Sequence, residues 1–152
     1  MRITLDANIL VYALHAEDPR HFPATEIVAR SFLSDCVQTL QSLGECFNAV
    51  VRKRYLDPHT ARERVGMFQA RVPVVTADLP DIQQAMAVVG RHRLQFWDAM
   101  LWATARRAGC RLILSEDMQD GRDLDGVVFV NPFAASNQRL MDLVIPRPGA
   151  SS

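Results

Sequence analysis

The sequence lacks the marks of a secreted, disulfide-bonded or membrane-spanning protein. Its 152 residues include three cysteines, Cys36, Cys46 and Cys110. No two form a C-x-x-C pair and no histidine lies near them at zinc-finger spacing, so reduced core thiols in a cytosolic protein are expected. No apolar run reaches the ~18 residues of a membrane helix. Met1 and Arg2 lead into a strand-like stretch, so no signal peptide is expected.

The chain also lacks an excess of either charge. It carries 17 Lys+Arg and 17 Asp+Glu, and 49% of its residues are hydrophobic. This composition excludes a disordered or fibrous chain, and the length fits one domain. The zero total hides an uneven distribution: residues 1–51 sum to −3, residues 52–111 to +6 and residues 112–152 to −3. Arginine supplies 16 of the 17 cations, which suits phosphate binding but is equally explained by genomic base content.

Short strand-like runs alternate with helical patterns along the chain. Strands are expected at 2–5, 36–38, 72–75, 111–114 and 127–130. Helices are expected at 7–14, 24–33, 39–54, 57–71, 79–89 and 96–108, the fifth stopping at Gly90. Residues 115–125 read as an acidic turn and residues 146–152 as a mobile tail. This alternation predicts an α/β domain with a parallel sheet.

Four acidic residues stand where a parallel sheet binds its ligands, beyond the carboxyl ends of the strands. Asp6 directly follows the first predicted strand, and Asp117 lies just beyond the fourth. Asp98 begins the sixth predicted helix, and Glu45 lies within the third. Each also has a plain structural explanation, because Asp6 and Asp98 could be helix N-caps and Asp117 a solvated turn residue.

Glu45 lies opposite the apolar stripe of its helix, which comprises Leu40, Leu43, Phe47, Val50 and Val51. Its own polar stripe holds Gln41, Asn48 and Arg52. At ~100° per residue this face is solvated surface unless it borders a cleft. In that case a phosphate contact is expected for Arg52, because it shares the stripe of Glu45.

Four carboxylates brought together would repel one another unless a cation were present. A hard divalent ion such as Mg²⁺ takes oxygen ligands, keeps several waters, and can support attack of water on a phosphodiester. No P-loop, Ser-His-Asp order, dinucleotide-binding glycine motif or H-E-x-x-H pattern competes with this interpretation.

The residues at these positions resemble PIN-domain ribonucleases, most closely the VapC-type toxins of type II toxin–antitoxin pairs. The matching stretches are Leu5–Leu10 (LDANIL), Ser42–Glu45 (SLGE), Phe96–Met100 (FWDAM), Leu114–Gly121 (LSEDMQDG) and Val130–Phe133 (VNPF). Four acids in this order, each in its expected local context, are much more specific than one aspartate near the N-terminus.

The resemblance implies a three-layer α/β/α domain with a central parallel sheet, spanning residues 1–133, followed by a partly mobile C-terminal extension at 134–152. It implies a cytoplasmic endoribonuclease that uses Mg²⁺ or Mn²⁺, has RNA as substrate, pairs with a cognate antitoxin, forms a homodimer and has no membrane association. The implied catalytic and metal-binding residues are Asp6, Glu45, Asp98 and Asp117. Asn8 and Ser115 match supporting positions, while Glu116 and Asp120 are extra acids without an assigned role.

Two further sequence features admit plain explanations. The rings of Phe96, Trp97 and Trp102 could stack on bases, but their Ala- and Met-rich helix predicts packing in the core. The apolar stretch 140–145 follows the matched region and could cover the core, extend a dimer contact or do neither.

Other functions remain as alternatives. A PIN-fold RNA-processing nuclease without an antitoxin would share every motif, and a catalytically silent nucleic-acid-binding module would share the fold. A haloacid-dehalogenase-like phosphatase is disfavoured because its Asp-x-Asp motif would require an acid where Asn8 stands.

Overall fold

The computed structural model describes residues 1–150, which form short strands and helices in alternation. The strands are β1 (Ile3–Leu5), β2 (Gln38–Thr39), β3 (Val74–Val75), β4 (Leu112–Leu114), β5 (Asp123–Leu124) and β6 (Val127–Val130). The helices are α1 (Ala7–Leu14), α2 (His21–Phe32), α3 (Leu40–Arg52), α4 (Pro58–Arg71), α5 (Leu79–His92), α6 (Phe96–Arg107) and α7 (Gln138–Val144), with a 3-10 turn at Ala135–Asn137. The predicted tail ends in residues 151 and 152, which lie outside the described residues. Over the described range, no helix combines the length and apolarity that crossing a membrane requires.

The sheet is mostly parallel, as predicted. Its strands run in the order β1-β4-β6-β5, with β5 antiparallel to β6. Leu5 pairs with Leu114, and Leu114 pairs with Val130, so the carboxyl ends of three strands coincide. The parallel pair β2-β3 lies beside β1, where Ile3 forms a parallel bridge with Cys36.

Helices cover both faces of this sheet, which confirms the three-layer α/β/α architecture. Leu112 and Leu114 of β4 face a core cluster shared with α1, α2, α3, α4 and α7. Ile113 faces a second cluster formed with α5 and α6, which Val127 and Phe129 of β6 join. Successive residues of a strand point to opposite faces, so β4 and β6 each supply both cores. All three cysteines are buried and free.

Several predicted element boundaries are wrong. Helix α5 continues through Gly90 to His92 and stops at Arg93, which takes the left-handed conformation at φ 53°. Pro23 lies within the first turn of α2, where proline needs no backbone donor. The acidic turn contains the two-residue strand β5, which has no apolar run to indicate it. Tertiary packing, and not local propensity, decides these elements.

The buried face of α3 also differs from the predicted stripe. Leu40 and Phe47 are 55% and 36% exposed, while Ser42 and Cys46 lie in the interior. The helix begins at the N-cap Thr39, whose side chain accepts from the backbone N–H of Ser42. Leu43 and Val50 of the predicted stripe are buried together with Ser42 and Cys46, so the buried face is turned away from Leu40 and Phe47.

The C-terminal helix α7 belongs to the first core cluster. Met141 and Ile145 are 1% and 0% exposed and pack with residues of β1 and β4. The buried guanidinium of Arg30 donates to the carbonyl of Ile145 at 2.8 Å and to Asp142 at 2.8 Å. The stretch 140–145 therefore covers the core. The proposed domain boundary at residue 133 stays a prediction.

We expect Ile145→Ala to destabilise the protein by about 2–4 kcal/mol, because it leaves a cavity in a packed core. The matched control is Leu143→Ala in the same helix, since Leu143 is 73% exposed and its truncation leaves no cavity. Chemical denaturation of both variants gives the comparison. Equal stability of the two variants would show that α7 only lies against the surface.

Candidate functional site at the carboxyl ends of the strands

Asp6 and Ser115 meet where β1 and β4 end. The backbone N–H of Asp6 donates to the carbonyl of Leu114 at 2.9 Å, which continues the strand pairing by one residue. Ser115 Oγ then donates to Asp6 Oδ2 at 2.8 Å, and the N–H of Ala7 donates to Asp6 Oδ1 at 2.7 Å. Asp6 is 8% exposed and is also the N-cap of α1. Its capping role and its place in the site therefore coexist.

Asn8 is held by the same hydroxyl. Ser115 Oγ has one proton, which it gives to Asp6, so it accepts from Asn8 Nδ2 at 3.4 Å and from the N–H of Asp117 at 3.2 Å. This leaves Asn8 Oδ1 buried without a hydrogen-bond partner among the described residues. A buried acceptor without a partner is costly, and an incoming cation or water would satisfy it.

A cavity of about 450 Å³, here called the acidic cleft, collects the predicted site residues. Its lining includes Asp6, Asn8, Glu45, Arg52, Asp98 and Asp117. The structure thus brings together all four predicted acids. Ser115 donates a hydrogen bond to one of them, Asp6. The polar face of α3 borders a cleft. This is the condition under which the sequence pattern favours a functional role for Glu45.

Asn48, which belongs to the predicted polar stripe of α3, also lines the cleft, whereas sequence reasoning missed Tyr12, Lys53, Gln95 and Trp97 as lining residues. It also missed a link between α3 and α6. Gln41 Nε2 donates to Glu45 Oε1 at 2.9 Å and to the carbonyl of Trp97 at 2.9 Å. Gln41 stands on the stripe of Glu45, one turn earlier, so the periodicity carried a signal for it. The partner on α6 is 56 residues away in sequence and carried none.

The prediction that the three aromatic rings of α6 pack in the core is wrong for Trp97. Trp102 is 1% exposed and donates its indole N–H to the carbonyl of Leu124 at 2.9 Å. Phe96 is half-buried against the second core cluster. Trp97 is 58% exposed, because it occupies the first turn of the helix, on the side that faces the cleft.

Burial and mutual repulsion act on the acids of the cleft. Burial raises the pKa of Asp6 from 3.8 to about 6, and the charges of Asp98 and Glu45 add to this rise against the lowering effect of the Ser115 bond. Burial, followed by the charges of Glu45 and Asp117, also raises the pKa of Asp98. Burial and neighbouring negative charge therefore both oppose the ionisation of Asp6 and Asp98, and positive charge in the cleft would favour their ionised forms.

The extra acids Glu116 and Asp120 lie outside the lining of the cleft. Glu116 accepts from Tyr12 Oη at 3.2 Å and is paired with Arg20. The Arg20 guanidinium lies 3.9 Å from the Tyr12 ring centroid. Asp120 accepts from the N–H of Asn131 at 2.9 Å. These acids anchor the segment after β4 to its neighbours. The contact between Arg20 and Glu116 spans 96 residues, and no local pattern reveals it.

The donor set of the cleft fits a hard divalent cation. Its ligating atoms are carboxylate and amide oxygens, which Mg²⁺ prefers, and Asn8 Oδ1 is an unpartnered acceptor there. Among residues 1–150, no three acidic, histidine or cysteine side chains stand close enough together to hold an ion directly. Mg²⁺ commonly takes one or two direct carboxylates and keeps several waters. A small number of direct protein ligands is therefore compatible with Mg²⁺.

These features define a small α/β/α domain with an oxygen-lined acidic cleft beyond the ends of its parallel strands. The model of the PIN domain family matches residues 3–120, which is most of the chain and contains all four acids. The chain belongs to the PIN-domain family.

Solved structures with a similar fold come from several bacteria. The VapC20 toxin of Mycobacterium tuberculosis, which cleaves the sarcin–ricin loop, has a TM-score of 0.63 and 22% identity, covering 76% of this chain and 91% of that one. A toxin–antitoxin complex from Klebsiella pneumoniae has a TM-score of 0.61 and 19% identity, and the match covers 86% of this chain and 98% of that one. VapBC2 of Rickettsia felis was solved bound to a DNA fragment from its promoter. It has a TM-score of 0.63 and 12% identity, and the match covers 86% of this chain and 98% of that one. Comparison with curated proteins gives no match.

We expect Asp6→Asn to stabilise the protein at neutral pH in the presence of EDTA. Because the pKa of Asp6 is raised from 3.8 to about 6 in the folded state, its ionisation opposes folding. The cost is absent at low pH, where Asp6 is protonated in both states, grows as pH rises from 3.8 to about 6, and is constant above that range. Complete ionisation would cost about 3 kcal/mol, of which the variant recovers about 1–3 because its amide bonds less well with Ser115.

The measurement is thermal unfolding of wild type and variant between about pH 4 and pH 7.5. The control is Asp125→Asn, at an exposed residue with φ 49°, a conformation that asparagine tolerates. If Asp6→Asn lost stability with rising pH as steeply as wild type, the ionisation of Asp6 would not be the source of that loss.

Proposed function

We propose that this protein is a metal-dependent endoribonuclease that hydrolyses RNA phosphodiester bonds, and the toxin of a toxin–antitoxin pair. The observation that carries the proposal is the joining of four acids from four separate segments in one cleft, where burial first, and then the charges of Asp98 and Glu45, raise the pKa of Asp6. A fold alone does not require such an arrangement. Strained electrostatics in a cleft mark a functional site.

In this proposal Asp6, Glu45 and Asp98 hold Mg²⁺ or Mn²⁺, directly or through water. When bound, the divalent ion supplies positive charge that offsets the negative charge of the phosphodiester during attack. Ser115 and the N–H of Ala7 fix both oxygens of Asp6, so its carboxylate presents a constant direction to the cleft. Gln41 donates to one oxygen of Glu45 and so restrains that carboxylate.

Asp117 completes the cleft and helps to position the attacking water. Its N–H is tied to Ser115 Oγ, while its side chain is exposed in the cleft. The carboxylate can accept a hydrogen bond from a water there and align it with the phosphorus atom. Asn8 supports the arrangement through its bond with Ser115.

An antitoxin partner is proposed because similar folds occur in toxin–antitoxin complexes. An antitoxin that inhibits the enzyme would cover the acidic cleft. A homodimer is proposed from the family resemblance. A processing nuclease without an antitoxin differs in its cellular effect: expression of a toxin arrests growth, and co-expression of its antitoxin relieves the arrest.

We expect Asp98→Asn to lower cleavage of a single-stranded oligoribonucleotide pool at least about 100-fold with Mg²⁺ or Mn²⁺. Asp6→Asn should behave alike. The reason is that each substitution removes charge that faces the cleft while keeping the shape of the side chain. The control Asp35→Asn changes an exposed carboxylate that pairs with Arg2 away from the cleft. Full activity of purified, folded Asp98→Asn or Asp6→Asn would overturn the assignment.

We expect Arg52→Ala to weaken RNA binding with little effect on metal affinity, since Arg52 lines the cleft on the side of α3. If it contacts one phosphate, the slope of log affinity against log salt should fall by about 0.7. Arg139→Ala, at an exposed residue of α7 outside the cleft, is the control. An unchanged affinity and slope at low salt would remove Arg52 from the RNA interface.

A further inference from the structure

Trp97 is an exposed indole at the edge of the acidic cleft. It directly precedes Asp98, yet 58% of its surface is accessible. Its neighbour on the same helix, Trp102, is buried and bonded through its indole N–H. The two tryptophans therefore serve different purposes. Core packing accounts for Trp102 and leaves Trp97 unexplained.

Trp97 separates the acidic cleft from a second cavity. This apolar groove, of about 690 Å³, is lined by Leu40, Val75, Ala77, Met100 and Trp97, among others. Glu45 and Trp97 line both spaces. A chain molecule with one phosphate at the acids would therefore bring its adjoining unit over the indole and into the groove.

Two hydroxyl groups that line the groove are already engaged in hydrogen bonds within the protein. Thr39 Oγ1 donates to Ser42 Oγ at 3.0 Å, and Thr104 Oγ1 donates to the carbonyl of Met100 at 2.9 Å. A peptide strand would bring backbone N–H and C=O groups that need partners. The face of a nucleobase needs none, and it stacks on aromatic side chains whatever its sequence.

Two contacts, one with the ring of Trp97 and one with its backbone, restrict this residue before any ligand arrives. The Phe96 ring lies 5.0 Å from the Trp97 ring at an interplanar angle of 68°, an edge-to-face arrangement. Gln41 Nε2 donates to the carbonyl of Trp97 at 2.9 Å. Such prior ordering lowers the entropy that binding would cost.

We propose that Trp97 is a stacking platform for the base of the nucleotide next to the scissile phosphate, with the apolar groove enclosing that base. This inference rests on the proposed nuclease function. Because the contact is stacking and not hydrogen bonding to base edges, it selects weakly among bases. It favours purines, whose larger faces stack more strongly.

The test begins with an oligoribonucleotide that wild-type protein cleaves, in which abasic nucleotides replace each position around the cut. Binding is measured in the Asp98→Asn background, which prevents turnover, with and without Trp97→Ala. We expect one abasic position to weaken binding roughly fivefold or more. The same replacement should have no further effect once Trp97 is alanine. Trp97→Phe should retain most of the affinity.

Tryptophan fluorescence supplies a second readout. The oligonucleotide should quench emission when Trp97 is present and not in Trp97→Phe, because Trp102 is buried. Phe22→Ala is the matched control, since Phe22 is an 83% exposed aromatic residue outside both cavities.

The outcomes separate this inference from the function on which it rests. If wild-type protein neither binds nor cleaves single-stranded RNA, both fail. If it cleaves RNA while Trp97→Ala keeps wild-type affinity and the same sensitivity to abasic positions, the stacking platform is wrong and the nuclease stands. If Trp97→Ala leaves RNA binding intact but disrupts self-association or antitoxin binding, the groove is a protein interface and the inference is overturned.

Discussion

The site depends on one hydrogen bond, from the Ser115 hydroxyl to the Asp6 carboxylate. Leu5 and Leu114 are register partners, so the residues that follow them are adjacent whenever β1 and β4 pair. The single proton of the hydroxyl goes to Asp6, which obliges Asn8 to present its N–H and leaves its oxygen buried without a hydrogen-bond partner among the described residues. A shift of one residue in this register would turn every side chain of the strand to the opposite face. Correct strand pairing and a correctly formed site are therefore the same event.

The carboxylate that results is poorly placed for stability. It is buried, its pKa is raised to about 6, and two helices contribute further acids. Gln41 joins these helices and so holds Glu45 near the segment that carries Asp98. Natural proteins depart from optimal folding rules at functional sites and compensate elsewhere. Here the compensation includes the two core clusters on either side of the sheet and the closure of one of them by α7.

Much of this arrangement could be predicted from sequence, because it follows from local order. Asp6 and Ser115 each follow a short apolar strand, and parallel strands gather their ends at one edge. Asp98 was placed by the start of an apolar helix. The polar stripe of α3 predicted the helix face on which Glu45 lies but not what that face meets, since periodicity does not show whether a face borders solvent or a cleft.

What sequence could not show depends on distant contacts. Arg20 reaches Glu116, and Arg30 reaches Ile145 and Asp142, across separations that no local pattern spans. The same holds for Trp97, because the Ala- and Met-rich sequence of its helix favours burial. Its exposure arises from its place in the first turn of α6, where the helix faces the cleft instead of the core. The apolar residues of α7 likewise gave no sign of which surface they cover.

The neutral total charge of the chain now has a spatial explanation. Cations of the acidic terminal regions are largely engaged by acids, as in the pairs of Arg20 and Arg30. The basic middle region places Arg52 and Lys53 in the lining of the acidic cleft, and the apolar groove adjoins that cleft at Trp97. A single strand of RNA crossing the acids would thus meet guanidinium and ammonium groups in the cleft and an indole at its edge. Phosphates suit the former and a base suits the latter, which is the combination that the proposed function and the proposed stacking platform require.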